Sequence, residues 1–322
     1  MTKKYFASLL DACNAVAVEP VSEFSLVPNR WIRGNTLRPN GKSDASFLMF
    51  SDGQGGIVKN FQTGDSAVWH YKSTEHSTIY EQKKTVKNLR HEQAMKYENV
   101  ANKAGNFYDN LPTALDHAYL RNKRVLATET IKIATINQYE QALNTSAFGL
   151  KGSLLVLPMF HFELLDGRLQ LCLRTLQLID EAGTKRFLKG GALKGSFWLS
   201  RKDYEAWVEL KPVFVIGEGM ATVLSVTQNS MHNSVGVAVG GCHNLLPVAQ
   251  HLKSFFSSSD FAILGDVGNG ERQARVAANS IGAELFIPSF DLDDIEIFQQ
   301  AHNGNKPSDW NDVYEILELH HD

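Results

Sequence analysis

From residue 213 onward, four short apolar runs alternate with helix-compatible stretches, and nothing else in the chain restricts its fold so tightly. The pattern predicts strands at 213–217, 234–239, 261–265 and 284–287, separated by helices at 220–229, 246–256 and 271–281. Strand-to-strand connections through a helix are right-handed crossovers between parallel strands, so an open α/β sheet follows. Two of the runs end in an acid. Val213-Phe214-Val215-Ile216-Gly217 delivers Glu218, which is followed by Gly219, and Phe261 to Gly265 delivers Asp266. Open parallel sheets bind ligands beyond the carboxyl ends of their strands, which makes both acids candidates for holding a metal or a phosphate. Asp309-Trp310-Asn311-Asp312 supplies further carboxylates ahead of a final helix, Val313–Leu319. The competing readings are structural. Glu218 would then only favour a helix dipole, a matter of roughly 0.3–1 kcal/mol, while Asp309 and Asp312 would cap the last helix, as Asn244 is expected to cap the helix at 246–256.

The front of the chain has another texture. Phe6, Leu9, Leu10, Cys13 and Val16 recur at helical spacing and predict an amphipathic helix over 3–18. Between 24 and 72, β-like runs at 47–50, 57–61 and 67–71 are punctuated by Asp52-Gly53, Gly55-Gly56 and Thr63-Gly64-Asp65, predicting a small antiparallel sheet. Trp31, Phe61, Trp69 and Tyr71 stand among Arg30, Arg33, Arg38, Lys42 and Lys59. Rings that stack on bases, set among cations that hold phosphates, make a single-stranded nucleic-acid platform; the alternative is that the same rings fill a small core. Residues 75–104 are polar and helix-prone and predict a long solvated helix, and Leu111–Val125, with Pro112 near its start, predicts a helix and turn. Strands are expected at 131–136, 154–160 and 169–179, the last two joined by an Asp166-Gly167 hairpin turn. Residues 185–202 carry Lys185, Arg186, Lys189, Lys194, Arg201 and Lys202 with no acid, around Gly190, Gly191 and Gly195. Glycines let backbone approach phosphates that flanking cations neutralise; a plain glycine-rich turn is the alternative.

Charge follows the same division. Residues 211–322 hold 5 Lys and Arg against 14 Asp and Glu, whereas residues 1–210 hold 27 against 21. An acidic metal-holding site fed by a basic strand-holding surface would produce this asymmetry, as would an acidic domain with ordinary solvated faces. Cys13, Cys172 and Cys242 lie far apart and form no Cys-x-x-Cys pair, so neither a disulfide framework nor a zinc ribbon is expected. No apolar run approaches the roughly 20 residues of a membrane span. The apolar stretch after Lys3 and Lys4 is broken by Asp11 and Asn14, so the expectation is a cytoplasmic chain with no signal peptide and no membrane partner. No nucleophile-elbow pattern supports serine hydrolase chemistry.

The order strand, Glu218-Gly219, strand, Asp266, then Asp309 and Asp312 resembles the Toprim fold shared by bacterial primases and topoisomerases. Ahead of it, His117-Ala118-Tyr119-Leu120, Leu165-Asp166-Gly167-Arg168, Leu176-Gln177-Leu178-Ile179-Asp180 and Lys185-Arg186-Phe187-Leu188-Lys189-Gly190-Gly191 resemble the block that precedes Toprim in plasmid- and phage-encoded primases. Gly240-Gly241-Cys242-His243-Asn244-Leu245-Leu246 is similar to a further landmark of that family. The resemblance spans residues 25–315 and is strongest from 113 onward. It implies an α/β chain in four parts: a small β-rich module at 1–74 without a zinc site, a helical linker at 75–110, a basic α+β primase-core subdomain at 111–210, and a Rossmann-like Toprim domain with a mostly parallel sheet at 211–322.

The implied activity is that of a DNA primase, a nucleotidyltransferase making short RNA primers on single-stranded DNA from NTPs with Mg²⁺ or Mn²⁺. Glu218 and Asp266 would be catalytic, and Glu218, Asp266, Asp309 and Asp312 would hold metal. Arg186, Lys189, Lys194, Asn244, Trp31 and Lys59 would meet template or triphosphate. With 322 residues leaving no room for a helicase domain, a separate replicative helicase or initiator is the expected partner. One departure weighs against catalysis: the family's Asp-x-Asp reads Asp266-Val267-Gly268 here, with Asn269 or Glu271 as the nearest substitutes. A catalytically degenerate Toprim protein that binds nucleic acid or a replication partner and regulates is the alternative, and a Toprim nuclease the third reading.

Overall fold

The computed structural model describes residues 4–71, 75–268 and 270–320, with backbone alone for Lys4 and for 75–86. The chain divides into two compact units, Met1–Met95 and Lys96–Asp322.

In the first unit, β1 (Lys4–Phe6) precedes α1 (Leu9–Ala15), and a five-stranded sheet forms with β2 (Trp31–Gly34), β3 (Ala45–Met49), β4 (Gly55–Asn60) and β5 (Ser66–His70), in the order β1-β5-β4-β3-β2. Two corrections to the sequence reading arise here. The helix expected over 3–18 starts only at Leu9, because Ser8 caps it by accepting from Asp11 N at 3.1 Å, and the residues before it form β1. The sheet is mixed, since β1 lies parallel to β5 while the other pairs are antiparallel. One face buries Phe47, Met49, Val58, Ala67 and Trp69 beneath Leu9, Ala12, Cys13 and Val16 of α1 and its C-cap. On the opposite face Leu48, Phe50, Ile57 and Val68 pack with Leu89 of α2 (Glu75–Asp109). The boundary between the two units falls within α2.

The second unit begins with the end of α2, whose Ala104, Phe107 and Tyr108 pack with α4 (Ile136–Leu143) on one face of the sheet β6 (Lys132–Thr135), β7 (Ser153–Leu165), β8 (Arg168–Asp180), β9 (Lys185–Phe187). The helix expected from Leu111 is confined to α3 (Ala118–Asn122). Residues before it run extended instead: Ala114 N donates to Ile131 O and Thr113 bridges to Lys132. β7 and β8 form a hairpin of 13-residue strands. Asp166 and Gly167 both have positive φ, 52° and 74°, as a two-residue type I′ turn requires. A register shift at Met159/Phe160 bends this hairpin, so that Leu155, Leu157 and Met159 serve one core while Phe160 and Phe162 serve another.

Between those two cores lies the second sheet: β10 (Trp198–Leu199), β11 (Phe214–Gly217), β12 (Val235–Ala238), β13 (Phe261–Leu264) and β14 (Glu284–Phe286), in the order β10-β12-β11-β13-β14. All pairs are parallel except β10 with β12. Phe214 and Ile216 point to a core shared with α7 (Leu245–Phe255), α8 (Glu271–Ile281) and Trp207 of α5 (Trp207–Leu210); Val215 points to one shared with α6 (Met220–Asn229). The fold is thus mixed α/β with several sheets, and the alternation expected from 213 onward is present. Two features go beyond it: α9 (Leu292–Ala301), which the sequence reading did not include, and α10 (Trp310–Leu319), which starts three residues ahead of the expected Val313. Among the described residues no helix is long and apolar enough to cross a membrane.

Candidate active site

β11 and β13 are adjacent and parallel, with Phe214, Val215 and Ile216 in register with Phe261, Ala262 and Ile263. β12 follows β11 on one side while β13 and β14 lie on the other, so strand order reverses between β11 and β13. Such a switch point opens a crevice at the carboxyl edge, and Glu218 and Asp266 emerge there. Backbone bonds fix the Glu218 turn: Gly240 N donates to Glu218 O at 2.9 Å and Val239 N to Gly217 O at 3.0 Å. Gly240, at φ 76°, leaves room for β9, since a Cβ there would lie 2.5 Å from the Phe187 ring.

A third acid reaches the crevice from far along the chain. Val267 N donates to Ser308 O at 2.8 Å, tying the turn after β13 to the entry of α10. Trp310 Nε1 donates to Phe286 O at 3.3 Å and fixes the same entry to β14. Asp309 is the N-cap, its Oδ1 accepting from Asn311 N at 2.7 Å and Asp312 N at 3.2 Å. Asp312 Oδ2 answers by accepting from Ser308 N at 2.8 Å and Asp309 N at 3.2 Å, while its Oδ1 lies 4.0 Å from Lys123 Nζ. This reciprocal capping box accounts for the early start of α10. Asp312 is buried and bonded into this box.

Asp266 is different. Its Oδ1 is buried with no hydrogen-bond partner. The carboxyl is pushed up to about 7, first by burial, then by the neighbouring charges of Asp309 and Glu218 and more weakly Asp312, with Lys185 opposing. Asp312 is also raised, by burial and then by Asp309, against the pull of Ser308 N and Lys123. Asp266 therefore feels its acidic neighbours, and the set is short of positive charge there. Among the described residues, no three His, Cys, Asp or Glu side chains gather closely enough to hold a metal ion by themselves. Mg²⁺ is commonly held by one or two carboxylates, with waters and substrate phosphates completing its shell, rather than by an all-protein cage. An orphaned buried carboxylate oxygen beside two further acids fits that demand.

Lys185 is the cation that the sequence reading noted but did not single out. Its Nζ lies 3.8 Å from where a Cβ of Gly219 would stand and 5.7 Å from the centre of the Tyr119 ring. The available signal was its position at the head of the acid-free run, on a strand that the Phe187–Gly240 contact carries past the end of β12.

Of the two proposed substitutes for the altered second acid, only Glu271 is among the described residues, and it is engaged elsewhere. Glu271 bonds Arg275 on the solvent side of α8, Oε1 to Nη2 at 2.8 Å, and Asn269 lies outside the described residues. Gly268 has φ 95°, so an aspartate there would strain the backbone although space is open.

In the basic segment Arg186, Lys189 and Lys194 are all exposed. Gly190 and Gly195 take positive φ, and a Cβ on Gly191 would sit 2.0 Å from Thr175 Oγ1. Asn244, expected to meet nucleotide or cap α7, instead clamps this loop. Its Oδ1 accepts from Gly195 N at 2.7 Å, and its Nδ2 donates to Ser196 O at 2.8 Å and Val239 O at 3.0 Å, with Leu193 O at 3.2 Å. It occupies the N-cap position but makes no side-chain cap bond. His243 beside it is exposed. His117 is buried and caps α3, its Nδ1 accepting from Tyr119 N at 3.2 Å.

Trp31 and Lys59 belong to the first unit. Trp31 and Phe61 are 41% and 52% exposed, whereas Trp69 is fully buried, so the rings read together in the sequence divide between surface and core.

Comparison with known proteins finds relatives in sequence. Two proteins of Escherichia coli named DNA primase TraC are each 34% identical over 127 residues, 36% of this chain. The match spans 12% of the length of one and 8% of the other. The resemblance to plasmid- and phage-type primases is thus met by homologous sequence. Among solved structures, the primase fragment of the bacteriophage T7 primase-helicase protein overlays 90% of this chain and 99% of its own at TM-score 0.39 and 11% identity. The zinc binding and RNA polymerase domains of the Aquifex aeolicus primase overlay 97% of this chain and 82% of their own at TM-score 0.37 and 14% identity. No family model matches.

Proposed function

We propose that this chain is a DNA primase of plasmid or phage type, synthesising short RNA primers on single-stranded DNA from NTPs. The observation that carries the reading is Asp266 Oδ1: a buried acceptor without a partner, at a strand-order reversal, in the field of Glu218 and Asp309. We assign residues 211–322 to a Toprim-type domain and 111–210 to the basic subdomain before it, with 1–74 and the helical linker 75–110 ahead. A divalent cation, Mg²⁺ or Mn²⁺, when bound, would neutralise the triphosphate and activate the attacking hydroxyl. Asp266 and Glu218 would hold it, with Asp309 beside them. Asp312 supports them from behind by fixing Asp309 through the capping box. Lys185 balances the acid set, and exposed Arg186, Lys189 and Lys194 hold phosphates on a loop that Asn244 keeps in place. A helicase or initiator of replication is the proposed partner.

Primer synthesis with labelled NTPs, Mn²⁺ and a single-stranded template, comparing the wild type with Glu218→Gln, tests the reading: product lost in the variant supports it, and no product from the wild type removes it. One observation favours a second reading, a non-catalytic protein of the same fold that binds nucleic acid and regulates. Gly268 stands at positive φ where a second acid is expected, and Glu271 is paired with Arg275. Template binding with no synthesis would select it.

A further inference from the structure

The exposed end of the first unit's sheet carries two crossed ring–cation pairs. Lys59 Nζ of β4 lies 5.0 Å from the Trp31 ring of β2, and the Arg33 guanidinium of β2 lies 4.7 Å from the ring of Phe61, just past β4. Ser46 of β3 stands between them, in register with both Arg33 and Lys59. Trp31, Ile32, Arg33, Ser46, Lys59 and Phe61 line one open cavity of about 320 Å³. On this sheet face Leu48 and Ile57 are buried with Leu89, but the end that bears Trp31 and Phe61 is uncovered. Among the described residues neither Lys59 nor Arg33 forms an ion pair; Arg33 Nη1 reaches only Ser43 O at 3.5 Å.

We infer that this face is a base-stacking site for single-stranded DNA. One or two bases would lie on the faces of Trp31 and Phe61, with flanking phosphates drawing Lys59 and Arg33 off the rings. Each ring now has a cation resting on the surface a base would use, so binding exchanges a weak exposed cation–π contact for stacking plus a phosphate contact. Stacking accepts any base, and the two cations supply charge complementarity to the backbone. The choice of single-stranded DNA as the ligand rests on the proposed function; the site itself lies in a different compact unit from the acid set and needs neither metal nor NTP.

The test uses the full chain in EDTA without NTPs, titrated with a single-stranded oligonucleotide, with an abasic oligonucleotide of equal length, and with duplex DNA. Trp31 is the exposed tryptophan, so binding of the normal single strand should quench fluorescence. Trp31→Ala should weaken binding by about 5- to 100-fold, Trp31→Phe should restore much of it, and Lys59→Gln should lower the salt slope by about 0.7. Thermal melting of each variant verifies the fold. Equal affinity for normal and abasic strands, equal affinity for duplex, or Trp31→Ala binding unchanged would each overturn the inference. Primer synthesis by the wild type is scored in parallel. Synthesis with Trp31-independent binding removes this site and leaves the polymerase reading; Trp31-dependent binding without synthesis does the reverse.

Discussion

The carboxyl edge of the parallel sheet and the open face of the first unit's sheet hold their polar groups in opposite ways. At the carboxyl edge much of the polar set is engaged by protein: Asn244 binds a loop and Asp309 and Asp312 cap one another, while the buried Asp266 Oδ1 has no partner. On the open face, rings and cations sit in water and touch mainly each other. A buried network fixes geometry and concentrates charge, as chemistry on a triphosphate needs. An exposed stack costs little to rearrange, as binding a strand of any sequence needs.

The sharpest test of that contrast is catalytic. Glu218→Gln should lower primer synthesis by about 10²- to 10⁴-fold, measured as labelled product per time, with an unchanged melting temperature. A loss matched by Trp31→Ala at saturating template would erase the distinction between the regions.

Within the first unit, Trp69→Ala should cost about 3–5 kcal/mol of stability by opening a cavity in the core, whereas Phe61→Ala should stay within about 0.5 kcal/mol. Denaturant melts read both. Similar losses would show that the exposed ring is structural after all.

Asp266 gives the contrast a pH signature. Its carboxyl titrates near 7 in the folded chain and near 4 when unfolded, so the native state binds the proton more tightly. Its contribution to stability is therefore least unfavourable below pH 4, declines as pH rises from about 4 to 7, and is fully unfavourable above 7. In EDTA at pH 8, Asp266→Asn should melt higher than the wild type, by up to a few kcal/mol, and the gain should vanish near pH 4. Mn²⁺ at pH 8 should raise the wild type and leave the variant behind.

Asn244→Ala should cost roughly 2–4 kcal/mol, because it strips partners from buried Gly195 N, Ser196 O and Val239 O. Melting and a raised KM for NTP would mark it as a positioning residue for the basic loop.

How far these features were legible depended on whether their cause is local. The strands and helices from 213 onward follow from run length and composition, and so do Glu218 and Asp266 at strand ends. α9 was hidden because only Phe298 of its apolar positions is buried, although Asp291 and Asp294 form a capping box that spelled its start. The first part of the helix and turn expected over Leu111–Val125 lost to pairing of Thr113 and Ala114 with Ile131 and Lys132, a tertiary contact no local pattern encodes. Asn244 looked like a cap from its position, but four loop and strand groups 5 to 51 residues away decide its use. Trp31 and Trp69 share a sequence neighbourhood and differ only in which side of the pleat they occupy and how much of that side is covered.

The hydrogen bond from Val267 N to Ser308 O makes the turn after β13 and the head of the last helix a single mechanical piece. Whatever settles Asp266 must also quiet the first turn of that helix, forty residues downstream. Amide protons at Val267, Asn311 and Asp312 would then slow their exchange together, and occupancy of the crevice could be followed from the head of the last helix as well as from the turn after β13.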